Sequence, residues 1–325
     1  MAQHILLSAA ARTLSLKAIF SEGEEAAYRG FCRLGWPGTS GDPICPACGC
    51  VDVYDLSSGR RFKWAACHRR FSVTSGTIFA SGKRSSVDLV GAICLFVNAA
   101  TGLSAVQLSR DRDVQHKTAI VLMHKRRDAM TAQTRDHRLD GEVEGDGAAW
   151  RGYVRPANLR EQRVDRRRRA HRRLAHRSGK RRVGVVLRQG GGRTVTRPFL
   201  REAQGVGFAR KRIAPGTMVL ADEIAHWDLL EPDFDMRRIN HSEAYSRDGV
   251  QTTLAESFFS RLRRMIGGQH LKVEGRYLDA YAAHAAWRED HREESNGQRT
   301  DRLIGGALAS PVSRSWKGYW HRRAA

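Results

Sequence analysis

The chain has 325 residues, enough for two or three domains, and its 56 Lys+Arg against 34 Asp+Glu give a formal net charge of +22. A field of that sign attracts polyanions, so nucleic acid is the expected partner. No apolar run is long enough to span a bilayer, so no membrane association is expected and a soluble cytoplasmic protein is the expectation.

Residues 1–42 are expected to form a helical segment. Leu6, Leu7, Ala10 and Leu14 recur at helical spacing, and Arg12 and Lys17 follow the apolar patch, the reverse of a targeting peptide's order. Of the six cysteines, Cys32, Cys45, Cys48 and Cys50 fall early, which fits a metal module better than a disulfide framework; Cys94, in an apolar run, reads as a core residue.

Residues 43–80 read as short strands and turns, the pattern of a zinc-ribbon-like module. Tetrahedral zinc takes four ligands. Cys45, Cys48 and Cys67 are in place, but Trp64 stands three residues before Cys67 and cannot ligate. Cys50, Cys32 and His68 are the candidates for the fourth position; the alternative is a ribbon held by its aromatics without metal.

Residues 81–135 contain three expected helices, from Ser86, from Ser104 with a capping-box pattern to Gln107, and from about Val114 to Met130. The third carries Lys117, Lys125, Arg126 and Arg127. A helix-turn-helix-like region laying these residues against double-stranded DNA is the functional expectation, and a helical linker with a solvated basic face the blander one.

Residues 136–295 turn to strands at Glu142–Trp150, Arg182–Leu187, Thr194–Leu200 and Met218–Asp222, then a helix over Thr253–Ile266 stopped by Gly267 and Gly268. An α/β domain follows. Inside it, residues 151–182 hold 14 Lys+Arg, including Arg166, Arg167, Arg168 and Arg169, against only Glu161 and Asp165. Self-repulsion favours a solvated insertion that phosphate contact would order. Residues 296–325 are expected as a C-terminal tail.

Three sets of acids suit metal chemistry. Glu142, Glu144 and Asp146 alternate onto one face of a strand, where a hard divalent cation relieves their repulsion; a solvated acidic edge is the competing account. Asp222 ends an apolar strand run, the place where open α/β sheets build their sites, unless it caps a helix. Glu256 shares a helix face with Ser260 and Arg263, which pairs a metal-binding carboxylate with a phosphate-gripping guanidinium, although Thr253 to Glu256 is also a capping-box pattern.

Several strings resemble the bacterial ISXO-type insertion-sequence transposases across nearly the whole chain: Cys45-Pro-Ala-Cys48-Gly49, Phe71 to Phe79, Gly141-Glu-Val-Glu-Gly-Asp-Gly147, Gly152 to Pro156, Ala221-Asp-Glu223, Arg238 to Ser242, Ala255 to Arg264 and Ala286-Trp-Arg-Glu-Asp290. The resemblance implies an RNase H-like catalytic domain behind a zinc ribbon, with Asp146, Asp222 and Glu256 as a D-D-E triad for two Mg²⁺ or Mn²⁺ ions and Arg263 as a neighbouring basic residue. It implies cleavage at element ends and strand transfer into target DNA, terminal inverted repeats and target as partners, a homo-oligomer on DNA, and work at the bacterial nucleoid. Trp64, Thr253, His291 and the single His270 depart from the family pattern. The alternative is a decayed or transposase-derived DNA-binding protein without nuclease activity.

Overall fold

The computed structural model describes residues 8–45, 48–56, 60–150, 182–222, 225–239, 253–270 and 273–319. Two compact units divide the chain, residues Met1–Ala132 with Glu293–Ala325, and Gln133–Arg292. No helix among the described residues is long and apolar enough to cross a membrane.

In the first unit, helix α1 (Leu16–Gly35) starts where Ser15 accepts a bond from the Ala18 amide, and it bends at Gly23, whose φ of 76° is left-handed. The expected helix around Leu14 is therefore displaced: Leu14 precedes the cap, and Leu6 and Leu7 lie outside the described residues. A small antiparallel sheet follows, β1 (Val53–Leu56), β2 (Arg61–Trp64) and β3 (Arg70–Phe71). Its core is aromatic, with Trp64 stacked on Phe71 at 3.9 Å between ring centroids.

Helices α2 (Ser86–Asn98), α3 (Ala105–Asp111) and α4 (His116–Thr134) come next. Ser85 and Ser104 cap the first two through the Asp88 and Gln107 amides. Helix α2 buries apolar residues nearly all round, since Leu89, Ile93, Phe96 and Val97 are enclosed.

The stretch from 296, expected as a tail, is instead helix α8 (Asn296–Ala309), opened by a full capping box between Ser295 and Gln298. Asn296 ties it to the N-terminal segment. Its Oδ1 accepts from the Thr13 and Leu14 amides at 2.9 and 3.0 Å, and its Nδ2 donates to the Leu14 carbonyl.

The second unit is built on a five-stranded sheet in the order β6-β5-β4-β7-β8: β4 (Glu142–Trp150), β5 (Arg182–Gln189), β6 (Thr194–Phe199), β7 (Met218–Asp222) and β8 (Asp235–Ile239). The first three strands are antiparallel neighbours, while β7 runs parallel to β4 and β8 to β7. This is the mixed sheet of an RNase H-like domain.

Alternation assigns the two faces. Val143, Val185 and Leu187 pack against Val206 and Ala209 of α5 (Gln204–Arg212) and against Trp227. Ala148 and Val186 pack against Phe258 and Leu262 of α6 (Thr253–Met265) and Ala282 and Ala286 of α7 (Leu278–Asp290). Helix α6 does not stop at its glycines; a π-helical turn, Ile266–His270, continues it.

Candidate active site

Strand pairing puts Asp146 and Asp222 side by side. Gly145 is opposite Ala221 in the parallel β4–β7 pair, and each acid is the next residue along its strand. Of the three acids on the β4 face, Glu142 is exposed, while Glu144 is buried and accepts a 2.9 Å bond from the Ala255 amide at the start of α6. Burial pushes the Glu144 carboxyl up, opposed by the Ala255 and Leu254 amides and by Arg188.

Asp146 is half-buried and accepts from the Gly147 amide at 2.6 Å. Burial pushes its carboxyl up to about 7, against that amide and with Asp222, Glu202 and Glu256 adding like charge. The chain therefore brings four carboxylates within electrostatic reach. It does not bring them within ligand distance of each other: among the described residues, only Cys45, Cys48 and Cys67 form a group of three or more whose ligand atoms all lie within 4.8 Å. An all-oxygen donor set of this kind fits a hard divalent cation.

Glu202 escaped sequence reading. It precedes α5 and approaches the sheet against Gly147, so closely that a Cβ on that glycine would lie 2.2 Å from its Cδ and Oε1. His226 Nε2 stands 3.3 Å from the same oxygen, without the alignment of a hydrogen bond, so both atoms are buried with bonding capacity unfilled. Burial pushes the Glu202 carboxyl up, His226 opposes this and Asp222 adds to it. The one sequence signal was a glycine directly after a strand acid.

Glu256 is exposed on the first turn of α6, and what fixes that turn is a charged clamp. Arg188 on β5 donates to the Leu254 carbonyl at 3.2 Å and to Glu289 of α7 at 3.1 Å, and Arg261 pairs with the same glutamate. Asp290 accepts from the Thr194 amide at 3.1 Å, and burial pushes its carboxyl up to about 6. Arg263, exposed seven residues beyond Glu256, lies over the rings of Trp150 and Phe259. On the β7 side, Arg238 donates to the Asp222 carbonyl at 2.6 Å and pairs with Asp228.

In the small sheet, Trp64 fills the space where a fourth cysteine would stand and is 1% exposed. Cys45, Cys48 and Cys67 are unbridged thiols with mutually close sulfurs, a soft donor set suited to zinc. Of the candidates for a fourth ligand, Cys50 directs its sulfur to the Asp52 carbonyl, Cys32 lies on α1, and His68 is exposed with a φ of 53°. None joins the three-sulfur group.

Residues 138–290 match the ISXO2-like transposase domain and residues 22–70 the transposase zinc-ribbon domain, both of the IS1595 family. The chain belongs to the IS1595-type transposases. The crystal structure of the Mos1 strand transfer complex aligns over 67% of this transposase and 78% of that chain at 12% identity, with a TM-score of 0.21, too slight a likeness to argue from. No curated protein matches it.

The transposase distributes its expected DNA-binding residues unevenly. Lys117 is exposed on α4 and Lys125 half-buried, where burial holds its ammonium down against the pull of Asp128. Arg126 and Arg127 are corrected: they are 0% and 1% exposed, beside the Phe96 ring, and present no surface to DNA. Burial pushes the Arg126 guanidinium down to about 9, with Arg127 adding to the effect. Helix α4 has no clean polar face, because Ala119, Met123, Ala129 and Met130 are buried around it as well. Arg166, Arg167, Arg168 and Arg169 lie outside the described residues.

Proposed function

We propose that this transposase is a D-D-E enzyme that cuts DNA at the ends of its element and joins the freed 3′-hydroxyl to target DNA, with Asp146, Asp222 and Glu256 holding two divalent cations, Mg²⁺ or Mn²⁺. One observation carries the reading: Asp146 and Asp222 are neighbours across the parallel β4–β7 pair, with Glu256 adding its charge at Asp146. Bound metal ions would lower the pKa of the attacking oxygen and stabilise the leaving one.

The chain's own residues do the positioning. Glu144 and Arg188 hold the first turn of α6, so Glu256 is presented from a fixed backbone. Arg263, backed by Trp150 and Phe259, offers its guanidinium to a phosphate, and the basic insertion 151–182 with Lys117 supplies sequence-independent grip on the duplex. Zinc in the ribbon would sit on Cys45, Cys48 and Cys67 and leave its fourth position open to a ligand from outside that group. Two element ends have to be joined, so the working form is a homo-oligomer on the nucleoid, in the bacterial cytoplasm.

Purified protein incubated with Mg²⁺ and a labelled end fragment should nick it. Asp222→Ala should abolish nicking without loss of binding; unchanged nicking in that variant refutes the assignment, and binding without any nicking by the parent favours the decayed alternative.

A further inference from the structure

We propose that Glu202 is a fourth metal-facing carboxylate of this centre, admitted by Gly147 and held by His226. The inference rests on the assignment of Asp146 and Asp222 as metal-holding acids.

Glu202 packs against Gly147, which by strand alternation faces away from α6, so Glu202 comes to the acids from the side of the sheet opposite Glu256. The approach depends on a missing side chain. Any residue but glycine at 147 would put a Cβ 2.2 Å from the Glu202 carboxyl and drive it out of the site.

The Glu202 side chain is turned toward His226 and Trp227 rather than back to its own helix. It does not cap α5, whose N-cap is Ala203 with no side-chain bond, and the amides of Leu200 and Arg201 are taken by Gln204. Its Oε1 is buried without a hydrogen bond and faces His226 Nε2, equally unsatisfied, at 3.3 Å. A buried carboxylate oxygen left without a partner is costly, and a cation shared with Asp146 and Asp222 supplies one. His226, half-buried and tilted against Trp227 at 5.3 Å, stands against that same oxygen and fixes the carboxyl as a positioning residue.

The test is Mn²⁺ binding to the full-length protein, followed by the loss of the free-ion paramagnetic resonance signal, with end-fragment binding in the absence of divalent cations as the control. Mn²⁺ is a hard ion that prefers these oxygens to the ribbon's thiols. Glu202→Gln, which keeps the shape and removes the charge, should weaken Mn²⁺ binding by about 10-fold or more. Glu202→Asp should recover part of the loss, and Gly147→Ala should reproduce it with Glu202 intact. End-fragment binding by Glu202→Gln should match the parent. If Asp222→Asn loses Mn²⁺ while Glu202→Gln binds it as the parent does, the role of Glu202 is overturned and the triad stands. If Asp222→Asn also binds as the parent does, the assignment of the site falls and this inference with it.

Discussion

Replacing Arg188 by Met should unfasten the helix that carries Glu256. The Arg188 and Glu289 side chains are 5% and 10% exposed, so this is a buried pair. Removing one partner of such a pair costs about 3–5 kcal/mol, because the other charge is stranded in low dielectric. Here Glu289 keeps Arg261, whose side chain is 45% exposed and partly solvated, which places the loss at the lower end, about 3 kcal/mol. The lost bond to the Leu254 carbonyl adds about 1 kcal/mol. A total near 4 kcal/mol is a large part of the roughly 5–15 kcal/mol that holds a typical domain together. Hydrogen exchange of the α6 and β5 amides across a urea series reads this unit separately from the other. Arg188→Met should lower protection over Thr253–Met265 first, and Arg188→Met combined with Glu289→Leu should restore much of it, since Glu289 is then no longer a buried charge short of its partner. Unchanged protection in the single variant, or a double variant worse than the single, would refute the clamp.

Other outcomes follow from the same physics. Asp146 has its carboxyl raised to about 7, so in the absence of divalent cations the folded protein keeps a proton between about pH 4 and 7 that the unfolded chain has lost. Stability therefore falls as pH rises through that window, by about 4 kcal/mol for this group alone; Asp146→Asn should remove that part of the slope and raise Tm at pH 8, and parallel Tm curves for the two proteins would contradict it. Arg126→Met should stabilise the first unit by about 1 kcal/mol or more, because all three guanidinium nitrogens are buried without hydrogen bonds, and should leave DNA affinity unchanged, whereas Lys117→Ala should weaken binding and flatten its salt dependence. Metal analysis should find zinc near stoichiometry, lost in Cys48→Ser, and a protein purified free of zinc with its ribbon intact would show that the aromatics suffice.

The second unit was legible where pattern and burial agree. Val219, Leu220 and Ala221 are apolar because β7 is covered on both faces, so the run and the acid that ends it stand out. Alternation along Glu142–Trp150 likewise announced a strand. Strand β8 was missed because Asp235-Met-Arg-Arg-Ile is an edge sequence, half charged, with no periodic signal of its own. Arg126 and Arg127 were misread because a charge run is ordinarily a solvated face, and nothing local says that Phe96 and the rest of the first unit close over it. Glu202 was missed because its place is set by the absence of a Cβ on a strand far away in the chain, and the glycine after Asp146 was its one trace in the sequence.

The bonds from Asn296 to Thr13 and Leu14 have a consequence for synthesis. The first unit takes residues from both sides of the second, which is thus spliced into it as an insertion. While the ribosome is still making the chain, α1 and α2 wait for α8, and the second unit leaves the tunnel and folds before the unit that flanks it can close. A product terminated anywhere before Asn296 lacks that closing helix, so truncated copies of the element would make chains whose first unit stays open.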